Sequence, residues 1–457
     1  MIREKEGEKM SLDRKIVRMT VPTVVSNISV PLLGLCDTAV AGHMGDERYL
    51  AGMAIGSVMV TTMYWLFSFL RAGTSGLTAT HFGAGDKEGM GVSLRNSLML
   101  AIVIGCFLIS VHSPMLGLLQ KVMGATAETT ELAGTYFSIC IRGAVPIMVL
   151  TALTGWFIGM QSTATAMWVN IGVSLLNVVA TLSLVYGFKM GYEGIATGTV
   201  LAQWLMAVPA GWMAWRICRR NGILKNFLSS WHMGRACHQE WWKRIWGEEW
   251  KAMLNVNSNL FFRSACLIAL TMMLYAYSAR LGDVEVGANA VINQMFLFFS
   301  YFMDGFAFTG EALVGRYSGA HDTEMLRKAI IGLLKWTAFV TVVFALAYTV
   351  FLSVIVGLLS DSSAVAESVE ECRLWVSLLP VAGALAFIYD GFYIGLTRTR
   401  PMLISTLCGV GLFAILINTL SHTQWMLWMA FTCYLGIRSA ILVGLFPILR
   451  KKTKYCI

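Results

Sequence analysis

The chain has 457 residues, of which 56% are hydrophobic and 13% charged, and its mean hydropathy is +0.65. Soluble domains carry about 25% charged residues, so water is excluded as the main solvent and a membrane is implied. The formal charge of +9 does not point to nucleic acid, because the bases stand at span ends and in loops rather than in one solvated patch.

Crossing a hydrocarbon core of roughly 30 Å takes about 20 apolar residues of helix. Twelve segments qualify: 15–42, 50–80, 93–115, 129–158, 165–187, 191–217, 251–279, 285–317, 326–353, 366–395, 401–418 and 424–449. Continuous apolar runs such as Leu98–Val111 and Trp336–Leu359 exclude a β-barrel, whose strands would alternate. Ahead of span 1, Met1 to Arg18 is mixed in charge and has no cleavage pattern, so it is expected to be retained. With both ends in the cytoplasm, twenty-five Lys and Arg fall on the inner side, against only Arg48, Lys121, Lys189 and Arg280 outside. That asymmetry matches the retention of basic residues on the cytoplasmic side.

Span 1 carries Asp37 between Leu35 and Val40, and an acid at membrane depth normally faces a cavity or a partner. Such a group can bind and release a proton or a sodium ion; the alternative is a capped or paired structural aspartate. Span 2 holds Arg71 and closes on Gly83-Ala84-Gly85-Asp86-Lys87-Glu88, and span 4 holds Arg142 and Pro146. The two arginines either snorkel toward an interface or find partners within the bundle. Between spans 6 and 7, the polar stretch Arg216 to Trp250 interleaves bases with Trp231, Trp241, Trp242, Trp246 and Trp250, as a linker lying on the inner surface would. The expected organisation is an N-terminal lobe over 1–217, a cytoplasmic linker over 218–250 and a C-terminal lobe over 251–457.

In the second half, Gly282-Asp283 follows span 7 as Gly45-Asp46 follows span 1, and Gly319-Ala320-His321-Asp322-Thr323-Glu324 closes span 8 as the glycine loop closes span 2. Phe392-Tyr393-Ile394-Gly395 in span 10 likewise matches Trp156-Phe157-Ile158-Gly159 in span 4. A six-span offset gives a parallel repeat. The fold class is therefore an all-α polytopic membrane protein, with two six-helix bundles related by a pseudo-two-fold and a substrate path between them. Pro22, Pro31, Pro146 and Pro380 fall inside spans, where each removes a backbone bond and invites a kink. Arg263 of span 7, Asp304 and Glu311 of span 8 and Asp390 of span 10 place one base and three acids at membrane depth. Asp304 and Glu311 share one face, and Arg263 is expected to neutralise one acid. The cluster serves coupling or gating, or else is a static network that holds the lobe together.

Several classes are excluded by absence. No phosphate-loop motif occurs, so the chain is not expected to hydrolyse ATP; no metal motif such as H-E-x-x-H occurs, so an intramembrane enzyme is a remote alternative. The ten cysteines are scattered without metal-ligand spacing.

Three motifs then carry a likeness: Cys36-Asp37-Thr38-Ala39-Val40-Ala41-Gly42-His43-Met44-Gly45, the loop Gly83-Ala84-Gly85-Asp86, and Asp304-Gly305-Phe306-Ala307-Phe308-Thr309-Gly310-Glu311-Ala312-Leu313-Val314-Gly315. Together they resemble the multidrug and toxic compound extrusion family, and the last, with Arg263 and Asp390-Gly391-Phe392, resembles its DinF branch. The resemblance implies that Asp37 is the ion-linked acid of the N-terminal lobe. It also implies a second acid in span 5, four residues after an asparagine. Here Asn177 is present but Thr181 stands at the acid's place, so Asn177, Thr181 and Thr199 offer only neutral oxygens beside Asp37. A proton is then the simpler coupling ion, with sodium near Asp37 still open. Those three residues are equally suited to hydrogen bonding between helices.

The expected protein is a monomeric antiporter of the inner membrane. It expels amphiphilic organic compounds while protons or sodium return, and it needs no cofactor and no nucleic-acid partner. A flippase for lipid-linked glycans, of related architecture, is the alternative; it would need a cationic central cavity.

Overall fold

A computed structural model of the chain describes residues 11–44, 46–123, 127–231, 247–420 and 423–446. Among these residues there is helix and no strand. Ten helices are long and apolar enough to cross a membrane. The other two long helices, Leu12–Gly42 and Tyr192–Arg220, have 31 and 29 residues, and bases at one end, such as Arg14, Lys15, Arg18, Arg216 and Arg219, dilute their apolar runs. With an even number of crossings, the first and last described residues lie on one side of the molecule, called here the terminal face. The opposite side is the far face. Gly45, most of the linker with its Trp241, Trp242 and Trp246, and the basic residues beyond Phe446 lie outside the described residues.

Helix ends follow capping chemistry rather than hydropathy. Span 3 starts at Lys87, not at residue 93, because the Asp86 carboxylate accepts from Gly89 N–H at 2.9 Å. Asp322 does the same for span 9 through Met325 N–H at 2.9 Å. Each cap follows a left-handed residue, Gly85 (φ 68) in one half and His321 (φ 55) in the other. The glycine loops are therefore tight turns. Span 10 is shorter than expected: Ser363–Glu371 is a separate helix, and the span proper is Arg373–Gly395. Arg373 thus joins the outer bases on the far face, paired with Glu370 at 2.7 Å.

Breaks and prolines coincide only in part. Helix Leu12–Gly42 runs unbroken through Pro22 and Pro31, and Pro380 lies inside Arg373–Gly395. Span 2 instead divides at Phe67 and Ser68, between Glu47–Leu66 and Phe69–Ala84. Span 4 passes through a 3₁₀ turn at Ile141–Gly143, just before Pro146, and span 5 ends in a π turn at Ser183–Gly187.

Glycines set the packing. A Cβ on Gly155 would stand 2.3 Å from the Arg71 carbonyl oxygen, and one on Gly159 would stand 2.7 Å from that of Ser75, so spans 2 and 4 touch backbone to backbone. At one constant offset, a Cβ on Gly391 would stand 2.3 Å from the Ala307 oxygen and one on Gly395 would stand 2.8 Å from that of Glu311, which joins spans 8 and 10 in the same way. The repeat inferred from loop motifs is thus a repeat of helix contacts. Between the lobes, Gly83 abuts the Arg316 oxygen (1.9 Å for an added Cβ), Gly319 that of Thr80 (2.0 Å) and Gly76 that of Ile394 (2.2 Å).

All of these inter-lobe contacts lie in the half of the molecule toward the terminal face. Hydrogen bonds between spans 1 and 8 run from Thr20 with Thr309 (2.9 Å), through Thr23 to the Gly305 oxygen (3.0 Å), to Asn27 with the Tyr301 oxygen (3.1 Å). Farther along, no inter-lobe hydrogen bond or ion pair joins spans 1 and 8 among the described residues. The buried core divides in the same sense. One apolar cluster joins the N-terminal lobe to the terminal half of the C-terminal lobe, through residues such as Phe306, Leu313 and Ile394. The far half of the C-terminal lobe has its own cluster around Phe299, Phe344 and Trp428. The lobes are closed together at the terminal face.

Candidate functional site

In the N-terminal lobe, Asp37 lies in the far half of span 1, 8% exposed, with Oδ1 lacking any hydrogen-bond partner. No basic side chain pairs with it among the described residues. The Asn177 side chain lies against its carboxyl. Asn177 Nδ2 donates to Thr199 Oγ1 at 2.8 Å, and Thr181 Oγ1 is 3.5 Å from Asn177 Oδ1. The four residues chosen from sequence are therefore brought together. Gly198 makes this possible, since a Cβ there would lie 2.5 Å from Thr181 Oγ1 and force spans 5 and 6 apart. Sequence reasoning missed Tyr136 and Cys140 of span 4, which are buried beside the group and interact with Asp37. A tyrosine three spans farther along leaves no local signal in the chain.

In the C-terminal lobe Arg263 pairs with one acid, and a base outside the expected cluster joins it. Arg263 Nη2 donates to Asp390 Oδ2 at 2.6 Å, and Arg438 Nη2 donates to the same oxygen. Arg438 Nη1 reaches the Tyr434 hydroxyl at 3.3 Å. The expected cluster omitted Arg438, although a lone arginine in the apolar run of span 12 was a readable signal. Glu311, 1% exposed, does not join Arg263. It accepts from Arg71 of the other lobe, at 3.0 Å from Nη1 and 3.2 Å from Nη2. Arg71 is thus a partner across the lobe interface and not a snorkelling residue, whereas Arg142 is exposed. Asp304 has no hydrogen bond or ion pair among the described residues. A cavity of about 460 Å³ also opens on the far face among Asp46, Arg48, Glu128, Glu131 and Glu193, but Asp37 does not line it. There the Asp46 carboxyl is held below its ordinary range by hydrogen bonds from Arg48.

Two helical lobes matched in register, an unpaired acid inside one and a charge network inside the other are the parts of a secondary membrane transporter. The MatE family model matches residues 22–182 and again residues 260–420, and the chain belongs to this family. It is accordingly a multi-pass membrane transporter and not an enzyme. Over 439 residues it is 29% identical to the DNA damage-inducible protein F of Escherichia coli (strain K12), covering 95% of this chain and 92% of that one. It is 24% identical to the "Probable multidrug resistance protein NorM" of Xylella fastidiosa (strain 9a5c), covering 87% and 83%. Among solved structures it resembles an outward-facing multidrug resistance MATE family transporter, with TM-score 0.80 and 19% identity over 95% and 94% of the two chains. A MATE structure in complex with MaL6 gives TM-score 0.79 and 19% identity over 95% of each chain. These structural likenesses carry the fold.

Proposed function

We propose that the chain is an antiporter that expels amphiphilic organic compounds, cationic or neutral, across the cytoplasmic membrane while protons return, with both termini in the cytoplasm. The observation that carries this reading is Asp37: an acid enclosed by helices, with one unpartnered oxygen, a neutral amide beside it and, among the described residues, no base to neutralise it. Such a carboxyl can change its charge by taking a proton, and the lobes can respond. Thr181 in place of a second acid favours the proton over sodium. The multidrug resistance and detoxification names of the relatives support the substrate class. The basic asymmetry of the loops supports the orientation, and the division into lobes at 218–250 with a monomeric working unit belongs to the same reading. Around the lobe interface, Arg71, Arg263 and Arg438 are balanced by Asp304, Glu311 and Asp390, which is not the cationic cavity that a flippase for glycan phosphates requires.

The test is dye efflux from proteoliposomes under imposed proton or sodium gradients. The parent is expected to respond to the proton gradient, and Asp37→Asn to fall to the level of protein-free vesicles. Gradient-driven efflux retained in Asp37→Asn would remove this residue from the mechanism.

A further inference from the structure

Asp304, Phe308 and Glu311 follow one another along one face of span 8, at helical spacings of four and three residues. Arg71 comes from the other lobe onto that face. Its guanidinium lies 3.7 Å above the Phe308 ring and pairs bidentately with Glu311. Asp304 stands about two turns, roughly 10 Å, farther from the terminal face than Glu311. Protein encloses it, yet it retains accessible surface. It therefore lies beyond the Arg71 contact, on the far-face side of the lobe interface, and is not sealed from solvent.

The charged groups acting on Asp304 come from every neighbouring element. They are Arg71 of span 2, Arg263 of span 7, Glu311 of its own helix, Asp390 of span 10 and Arg438 of span 12, with Tyr301 one turn away. Arg263 and Arg438 are already bound to Asp390. Arg71 is the base whose position depends on how the lobes are arranged, and both acids that attract it belong to the opposite lobe.

We propose that Asp304 is a second proton-binding residue, reached from the far-face side, and that Arg71 reads its charge across the lobe interface. Ionised, Asp304 adds to Glu311 in holding Arg71, and the terminal mouth stays shut. Protonated, it leaves Arg71 on Glu311 alone, and the mouth opens. A proton taken from the far side thereby loosens the opposite side, as exchange transport requires. The repeat shows that this arrangement is specific to one half: the counterparts of Arg71 and Glu311 are Ala307 and Ser75, neither of which can ionise as a pair. The proposal rests on the antiport reading but is tested apart from it.

Two spin labels, attached through noncanonical residues at exposed Glu88 and Thr323 so that the native cysteines remain, report the width of the terminal mouth in liposomes without substrate or gradient. Lowering the pH is expected to raise the open fraction of the parent by about fivefold or more, the lower range of an ordinary coupling between sites. Asp304→Asn and Glu311→Gln are expected to be open at both pH values. Asp304→Glu, which checks that the site still folds, is expected to restore the response. A parent without pH response, or Asp304→Asn that responds as the parent does, overturns the proposal. Absence of gradient-driven dye efflux in the parent, with the distance response intact, would instead overturn antiport and leave the latch standing.

Discussion

Asp390 shows how much one carboxylate holds when buried. It is the common partner of Arg263 and Arg438, both deep in the C-terminal lobe, and its second oxygen has no partner. Removing the shared acid leaves two arginines facing each other without a counter-charge, a change that costs about 3–5 kcal/mol in buried pairs. Asp390→Asn is therefore expected to melt well below the parent in detergent; equal melting temperatures would show the network to be dispensable. On the other side of the molecule, Thr181 is 1% exposed and sits within reach of Asn177, where the family resemblance places an acid. Thr181→Asp should put a second carboxylate beside Asp37 and let a sodium gradient drive efflux, which can be read in the same vesicles. Asp37 and Asn177 were legible because an acid or amide in an apolar helix stands out by itself. Glu311's partner was not, because nothing in the chain says which helices of opposite lobes meet.

Helices were legible in number and type and poorly legible at their ends. Hydropathy reads burial in lipid, whereas Asp86 and Asp322 fix where spans 3 and 9 begin through hydrogen bonds to Gly89 and Met325. Proline also misled. The division at Phe67–Ser68 arises without a proline at the break and Pro22 and Pro31 sit in an unbroken helix, whereas the turn at Ile141–Gly143 spans the Arg142 carbonyl that Pro146 cannot bond. The glycine contacts give a sharper test at this scale. Gly155 and Gly391 pack within a lobe, so a valine at either should overpack it and cost about 1–3 kcal/mol, seen as a lower melting temperature. Gly83 and Gly319 pack between lobes. A valine there can be relieved by the lobes parting, so the expected effect is a wider terminal mouth with little change in melting. Loss of folding in the second pair equal to that in the first would refute the distinction.

For the molecule as a whole, the N-terminal lobe and the terminal half of the C-terminal lobe form one continuous core, and the far half of the C-terminal lobe is another. Rocking therefore has to separate the former and leave the latter intact. The seam includes Thr20 with Thr309, Thr23 with Gly305, and the partly buried Arg71–Glu311 pair. Of these, the ion pair is the strongest single term, since charge-assisted bidentate bonds are about twice as strong as neutral ones. Arg71→Gln should accordingly shift the resting population toward the terminal-open state and uncouple efflux from the gradient. Labelling of a cysteine placed along the seam, from the terminal side of oriented vesicles, would measure it; unchanged labelling would contradict it.

The bare backbone contacts at Gly76, Gly83 and Gly319 have a pharmacological corollary. While the seam is shut, not even a methyl group fits there, so no small molecule can dock. Once the lobes part, the same strip becomes a shallow crevice edged by exposed carbonyl oxygens. A flat donor-bearing compound that slipped in would act as a wedge and arrest the carrier in that posture.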